Sequence, residues 1–259
     1  EVPWDLSDVD CVVDATGKFQ SQAAMNDHLG NGAKRVILST LPDAHIDRLI
    51  LAGINENEAK VEDRMISAGS ATTTAFALVL KILGAKMDIE CASMTSVHAY
   101  TSDQALQDYA GKDFRRSRSA AANIIPNTTA SAPWIEKVMP EFAGKLSAYA
   151  LNVPVQKGSL LDLTLVFKDK NISADDVNAV MLEAQQAMPH LIDTSEDPIV
   201  SSDVIGNSHS LLFDMEGTLK GGGRMIKTLS WYESLGHASR ILDLVRHYND
   251  LDLKQGDAA

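Results

Sequence analysis

The chain has 259 residues, of which 45% are hydrophobic and 22% are charged, a composition typical of a globular protein with one large domain or two smaller ones. Its formal net charge of −12 argues against nonspecific binding to nucleic acid or an anionic membrane, because such binding needs a cationic face. No apolar run approaches the length of a membrane span, and the first residues lack the basic start and apolar core of a secretory signal.

Residues 1–70 alternate short apolar strands with turns and helical stretches. Near-continuous apolar strands separated by helices are typical of a parallel α/β sheet. The pattern predicts four strands and one helix that closes at Gly30; the strands cover residues 9–15, 34–39, 49–53 and 65–68, and the helix covers residues 21–29.

From residue 75 onward the predicted elements become longer. Residues 75–86 form a helix that is apolar on most sides and therefore buried, and Ser173, with acidic residues in the next turn, begins another helix. Long strands with helices on one side favour an α+β second domain. The predicted strands cover residues 89–99, 145–153, 160–168 and 225–232, and further helices cover residues 130–139, 173–187 and 237–248.

The glycine-rich run at residues 219–224 has two interpretations. It suits a hairpin turn before the strand at 225–232, and it resembles a phosphate cradle in composition. No helix start follows the run, which favours the hairpin.

The two cysteines, Cys11 and Cys91, each lie in an apolar, strand-like run. We expect two buried free thiols in a reducing compartment, and hence a cytoplasmic protein. Two cysteines without histidine partners or a C-x-x-C spacing do not make a zinc site, so we expect no metal. The chain begins at Glu1 rather than Met, so we expect a processed product or an excised piece of a longer protein.

Two segments carry the chemistry. Ser70-Ala71-Thr72-Thr73-Thr74 is a small-residue turn that opens onto a helix, and free backbone N–H groups at a helix start attract a nucleophile or an anion. The segment from Val97 to Gln104 follows, and its His98 lies 27 residues after Ala71 (98 − 71 = 27). In this order the two segments resemble those of glyceraldehyde-3-phosphate dehydrogenases, which carry Ser-Cys-Thr-Thr-Asn and Val-His-(Ser/Ala)-Tyr-Thr.

The resemblance extends over nearly the whole chain, through residues 112–118, 123–129, 200–206 and 230–232. It implies the end of a Rossmann-type dinucleotide-binding domain (1–70), an α+β catalytic domain with a large sheet (71–235) and a terminal helix that packs on the first domain (236–259). The family is tetrameric, and its arginine-rich loop, here around 112–118, forms subunit contacts. The printed chain contains no G-x-G-x-x-G, the turn that a dinucleotide-binding domain needs.

The resemblance also implies roles for individual residues. His98 matches the family's base, and Ala71 stands where the family has its cysteine nucleophile. The residues that match substrate or phosphate contacts are Ser70, Thr72, Thr101, Arg116 and Thr129, and those that match contacts to NAD or NADP are Thr16, Gly17, Ser39 and Ser234.

Structural alternatives stay open for these residues. A lone histidine in an apolar strand such as His98 is often a core residue, and Ser70 and Thr72 also suit helix capping. Arg116 also suits a solvated basic loop or a subunit contact.

Four positions depart from the family pattern. Ala71 replaces the cysteine, Thr74 replaces an asparagine, and Asn152 stands where the family has an arginine before Val-Pro. The segment around Ser234 is one residue short of the family's Trp-Tyr-Asp-Asn-Glu-x-Gly. The favoured hypothesis is a protein without phosphorylating dehydrogenase activity that binds phosphorylated metabolites or proteins.

Two alternatives remain. The full-length form acts as an NAD(P)-dependent dehydrogenase of a phosphorylated aldehyde, a glycolytic oxidoreductase; or the chain is a non-catalytic subunit of an oligomer. In each case we expect a dimer or tetramer, because the truncated parallel sheet leaves residues 9–15 or 34–39 as an exposed edge.

Overall fold

The computed structural model describes residues 2–18, 20–43 and 45–256. The chain folds as two compact units, residues 1–70 with 237–259 and residues 71–236. The elements in chain order are β1 (Cys11–Asp14), α1 (Gln22–Gly30), β2 (Arg35–Leu38), β3 (Arg48–Leu49), β4 (Met65–Ser67), α2 (Ala71–Gly84), β5 (Ile89–Ala99), β6 (Ile125–Asn127), α3 (Ser131–Val138), β7 (Leu146–Val153), β8 (Ser159–Phe167), α4 (Ala174–Ala187), β9 (Ile192–Ser195), β10 (Leu211–Lys220), β11 (Met225–Tyr232) and α5 (Ser234–Gly256).

The first unit is built on a parallel sheet with strand order β1-β2-β4-β3. All four residues of β2 are buried, which explains the apolar run at residues 36–38. Ile37 and Ile66 of the sheet share a core with Ile241, Leu244 and Tyr248 of α5. The parallel sheet is confirmed, and its core includes the terminal helix.

The edge prediction is half right. Among the described residues β1 pairs only with β2 and is an edge strand, as predicted for residues 9–15. β2 pairs on both sides, so the prediction of an exposed edge at residues 34–39 was wrong.

The predicted strand at residues 49–53 is also corrected, because β3 ends at Leu49. Asn55 donates from Nδ2 to the Leu49 carbonyl and accepts the Leu51 N–H on Oδ1, each at 2.9 Å. Through these two bonds the buried Asn55 side chain holds residues 49–55 in a turn. The apolar sequence of residues 49–53 alone predicted a strand.

The second unit holds a seven-stranded sheet with order β6-β7-β5-β8-β11-β10-β9. The β5–β7 and β9–β10 pairs are parallel and the other pairs are antiparallel, which confirms a mixed α+β sheet. β6, β9 and β10 were not predicted. The turn at residues 221–224 joins antiparallel β10 and β11, so the hairpin interpretation is confirmed.

Two further expectations are corrected in this unit. α2 begins at Ala71 rather than at residue 75, and the residues from Thr72 to Leu80 are buried. Cys91 is exposed rather than buried, because the β5–β8 register shifts between Ile89 and Cys91 and moves that side chain to the solvent face. Across the described ranges, no helix is long and apolar enough to cross a membrane.

Candidate functional site: a helix start without a nucleophile

Ala71 is the first residue of α2 and places a methyl group where the helix dipole is most positive. The three threonines that follow are all buried, and none presents a free hydroxyl to solvent. Thr72 donates its hydroxyl to Tyr232 Oη at 2.8 Å, and Thr73 Oγ1 lies 2.9 Å from Ser131 Oγ. The threonines that follow Ala71 are therefore occupied by packing and hydrogen bonding.

Tyr232, the last residue of β11, connects the start of α2 to β5. Its hydroxyl lies 2.6 Å from Ser96 Oγ as well as bonding Thr72. The side chain is almost wholly buried, and this burial raises the pKa of Tyr232, so the phenol stays neutral. This contact fixes the first turn of α2 against the strand that carries His98.

His98 occupies the end of β5, next to the residue that closes the strand. Its Nδ1 lies 2.6 Å from the Ala99 carbonyl oxygen. A carbonyl oxygen only accepts hydrogen bonds, so Nδ1 carries the proton and the Nε2 lone pair is the acceptor of the neutral ring. The ring meets Tyr232 edge to face, with centroids 6.1 Å apart. This tautomer suits a general base, and no thiol stands beside it.

Asn152 lies beside His98, since the two residues are Cα partners in the parallel β5–β7 ladder. It is buried, and its Oδ1 accepts a hydrogen bond from Asn127 Nδ2 at 3.2 Å. An amide pair thus occupies this place without adding positive charge.

Thr129, predicted as a phosphate contact, lies at the start of α3. Its Oγ1 is 3.0 Å from Ser131 Oγ and accepts the Ser131 N–H at 3.2 Å. Ser131 also contacts Thr73, so one chain of hydroxyls joins the first turns of α2 and α3. Two helix N-termini therefore converge here, and their N–H groups favour an anion.

Thr101 and Arg116 are held together by a third residue, Asp103. Thr101 donates its hydroxyl to Asp103 Oδ1, and Arg116 Nη2 pairs with Asp103 Oδ2. The structure thus joins these two predicted phosphate contacts to a carboxylate.

The cysteines of the chain do not replace the missing nucleophile. Cys11 of the first unit is half-buried rather than buried as predicted, and this partial burial raises the pKa of its thiol to about 11. Cys91 shares β5 with His98 but lies seven residues away (98 − 91 = 7), about 23 Å along an extended strand. Among the described residues there is also no group of three His, Cys, Asp or Glu residues that could hold a metal ion.

The predicted cofactor contacts of the first unit follow the carboxyl ends of β1 and β2. Thr16 donates from its N–H and hydroxyl to Asp14 Oδ1, at 2.9 and 2.6 Å, and Gly17 has a φ of 66° with open space at its Cβ position. Half-buried His237 donates from Nε2 to the Ser39 carbonyl at 2.7 Å, and desolvation lowers the pKa of His237.

These residues fit only part of a dinucleotide. Thr16 already donates its hydroxyl, and the printed chain has no glycine-rich turn for a pyrophosphate. Ser234, the remaining predicted cofactor contact, begins α5 in the other unit. Because the residues present fit a dinucleotide only in part, no chemical step is assigned to one.

Several site residues were not predicted: Ser96, Tyr232, Asn127, Ser131 and Asp103. The alternation along β11 was one usable signal, since Thr228, Ser230 and Tyr232 share its buried face. Asp103 lay within a recognised segment, but its pairing with Arg116 joins residues 13 positions apart and has no local signature.

The parallel sheet of the first unit and the helix start facing a sheet-borne histidine in the second define a class, the two-domain α/β proteins of the dehydrogenase type. A sequence model of the family described as "Glyceraldehyde 3-phosphate dehydrogenase, C-terminal domain" matches residues 70–234. The chain belongs to the glyceraldehyde-3-phosphate dehydrogenase family.

Curated relatives support the same assignment. The chain is 40% identical over 250 residues to "Glyceraldehyde-3-phosphate dehydrogenase 2" of Bacillus subtilis, covering 95% of this chain and 73% of that protein. It is 37% identical over 253 residues to the glyceraldehyde-3-phosphate dehydrogenase of Borreliella burgdorferi, covering 95% and 75%. It is 40% identical over 246 residues to that of Mycobacterium tuberculosis, covering 94% and 72%.

Proposed function

We propose that this chain is a glyceraldehyde-3-phosphate dehydrogenase-like protein that binds a phosphorylated small molecule and lacks phosphorylating dehydrogenase activity. One observation carries the proposal: Ala71 is the first residue of α2, and the threonines that follow it are buried, with the hydroxyls of Thr72 and Thr73 in contact with other hydroxyls. Covalent catalysis needs a nucleophile beside a base, and only the base, His98, is present.

The binding part of the proposal rests mainly on neutral groups. The helix N-termini of α2 and α3 and the hydroxyl of Thr129 supply donors. By family resemblance Ser70, Thr101 and Arg116 contribute as well. Asn152 adds no charge, so we expect weak, millimolar-range binding to a single phosphate.

The remaining roles follow from family membership. We infer that residues 1–70 are the end of a dinucleotide-binding domain in which Thr16, Gly17 and Ser39 contact NAD or NADP, with Ser234 as a further contact, in a cytoplasmic oligomer. The alternative function is an active oxidoreductase of a phosphorylated aldehyde, in glycolysis, when a dinucleotide-binding turn is supplied. His98 favours this alternative, because its Nδ1 contact leaves Nε2 available to accept a proton, as a general base requires.

Two measurements test the proposal. With glyceraldehyde 3-phosphate, NAD and phosphate, we expect no NADH above a boiled control. A nucleophile and its base act together, so the loss of the nucleophile alone removes nearly all of their joint contribution to the rate. Titration calorimetry with inorganic phosphate should show about fivefold weaker binding for Thr129→Ala, the loss of one hydrogen bond of ~1 kcal/mol.

Thr128→Ala is the matched control, because Thr128 is the exposed neighbour and should bind phosphate like the unaltered protein. NADH formation would overturn the loss of activity. Equal phosphate affinity in all three proteins would overturn the proposed site.

A further inference from the structure

Asp103 engages both of the predicted phosphate contacts that lie in the loop after β5, Thr101 and Arg116. Its Oδ1 accepts the Thr101 hydroxyl, and its Oδ2 pairs with Arg116 Nη2. Both oxygens of one carboxylate therefore bond to donors that a ligand phosphate would use.

This arrangement limits what the loop can offer a ligand. Thr101 has one hydroxyl proton, which cannot be given to Asp103 and a phosphate together, and its N–H already donates to Gln104 Oε1 at 3.2 Å. The positive charge of Arg116 is balanced by the carboxylate. Partial burial acts to raise the pKa of Asp103, but the Thr101 hydrogen bond and the Arg116 charge outweigh it and hold that pKa below its ordinary value, so Asp103 is an anion at neutral pH.

We propose that Asp103 is a specificity-determining residue that competes with the ligand's phosphate for Thr101 and Arg116. A bound phosphate must displace the carboxylate or accept its repulsion, and a dianion is disfavoured more than a monoanion. This inference rests on the proposed function, because Thr101 and Arg116 enter that proposal as phosphate contacts by family resemblance.

The exposure of the pair sets the size of the effect. The side chains of Arg116 and Asp103 are 33% and 56% exposed, so the carboxylate can turn into solvent without unfolding the loop. Ion pairs in such settings are worth up to about 1 kcal/mol, which corresponds to an affinity change of about three- to fivefold.

The experiment measures inorganic phosphate binding by titration calorimetry at low ionic strength. Asp103→Asn keeps the shape of the side chain and removes its charge, and it should bind phosphate about three- to fivefold more tightly than the unaltered protein. Asp108→Asn is the matched control in the same loop, because Asp108 pairs with Arg118 at 2.9 Å, outside the proposed site, and should change nothing.

Two further variants separate competition from a general change in loop structure. Arg116→Gln should cancel the gain when combined with Asp103→Asn. Thr101→Val should leave the affinity of the unaltered protein nearly unchanged, because its hydroxyl is committed to Asp103, and should weaken binding in the Asp103→Asn background.

The outcomes distinguish this inference from the proposed function. If the unaltered protein binds phosphate through Thr129 and Asp103→Asn binds equally or more weakly, the inference is overturned and the proposed function stands. A loss of affinity on Thr101→Val alone also overturns the inference, whether or not the Asp103 variant folds. If no variant binds phosphate, both are overturned.

Discussion

Position 71 carries a methyl group where the family pattern has a cysteine. Ala71 retains the first turn of α2, and Tyr232 still fixes that turn through Thr72. His98 still presents an unprotonated Nε2 in its neutral form. Because these contacts form without a thiol at position 71, a cysteine introduced there should have the helix start and the histidine beside it that favour a reactive thiolate.

Ala71→Cys should therefore give a thiol with a pKa below the ordinary value of about 8.5, because the helix N-terminus favours the thiolate. Alkylation by iodoacetamide, followed across pH, reports this pKa as the inflection of the rate. Ala179→Cys is the matched control, an exposed position inside α4 and away from its start. Equal inflections for the two introduced thiols would contradict the prediction.

Sequence patterns predict residues whose role is tied to a local motif and miss those defined by distant contacts. Ala71, His98 and Asn152 stand inside recognisable segments, so their types could be compared with a family pattern. The Thr72–Tyr232 bond joins positions 160 residues apart and exists only once the sheet has formed. Such a contact carries no periodicity that a sequence window can detect.

At the scale of elements, strands with a regular local alternation were predicted, and strands defined by their pairing partners were missed. β8 alternates buried and half-buried residues over its whole length and was recognised. β10 was missed because its register against β11 shifts between Asp214 and Leu219, which breaks the alternation. β6 and β9 are short and are defined mainly by their pairing partners.

The terminal helix was predicted to end at residue 248 but continues to Gly256, because tertiary contacts extend it. Buried Arg35 on β2 forms two hydrogen bonds with Asp252 near the end of the helix, at 2.6 and 3.0 Å. Lys34 pairs with the same carboxylate at 2.8 Å. The predicted boundary fell short because this ion pair spans 217 residues of sequence.

Asp252→Asn should lower the free energy of unfolding by about 2 kcal/mol at pH 7, since it leaves the buried Arg35 charge without its counter-ion. Hydrogen bonds from Arg35 and Lys34 lower the pKa of Asp252, so its contribution exists above the ordinary aspartate pKa of about 3.9 and is lost as pH falls through the lower folded value. Urea unfolding at pH 7 and near pH 3 checks both points.

The difference between Asp252→Asn and the unaltered protein should shrink at the acid pH. Asp250→Asn is the control, because Asp250 is exposed on the same helix and should unfold like the unaltered protein. A loss of stability that did not depend on pH would assign the effect to helix packing rather than to the ion pair.

At the scale of the whole molecule, the two faces of the seven-stranded sheet in the second unit differ. α2 contacts both α3 and α4 as well as the sheet, so these three helices lie on one face. The other face carries an apolar row in register across five strands, formed by Leu151, Val97, Leu160, Trp231 and Leu212. Tyr149 on the same face is 65% exposed.

An apolar sheet face of this kind is typically covered by another protein surface, and the family resemblance favours a second copy of the chain. We therefore expect light scattering to give a mass above 28.0 kDa, the mass of one chain, at micromolar concentration. Leu160→Lys should shift the mass toward the monomer, because it places a charge in the middle of the row. Leu182→Lys on α4 is the matched control, since Leu182 is an exposed apolar residue outside the sheet. A mass that stays near 28.0 kDa on concentration would show that this face is not an interface.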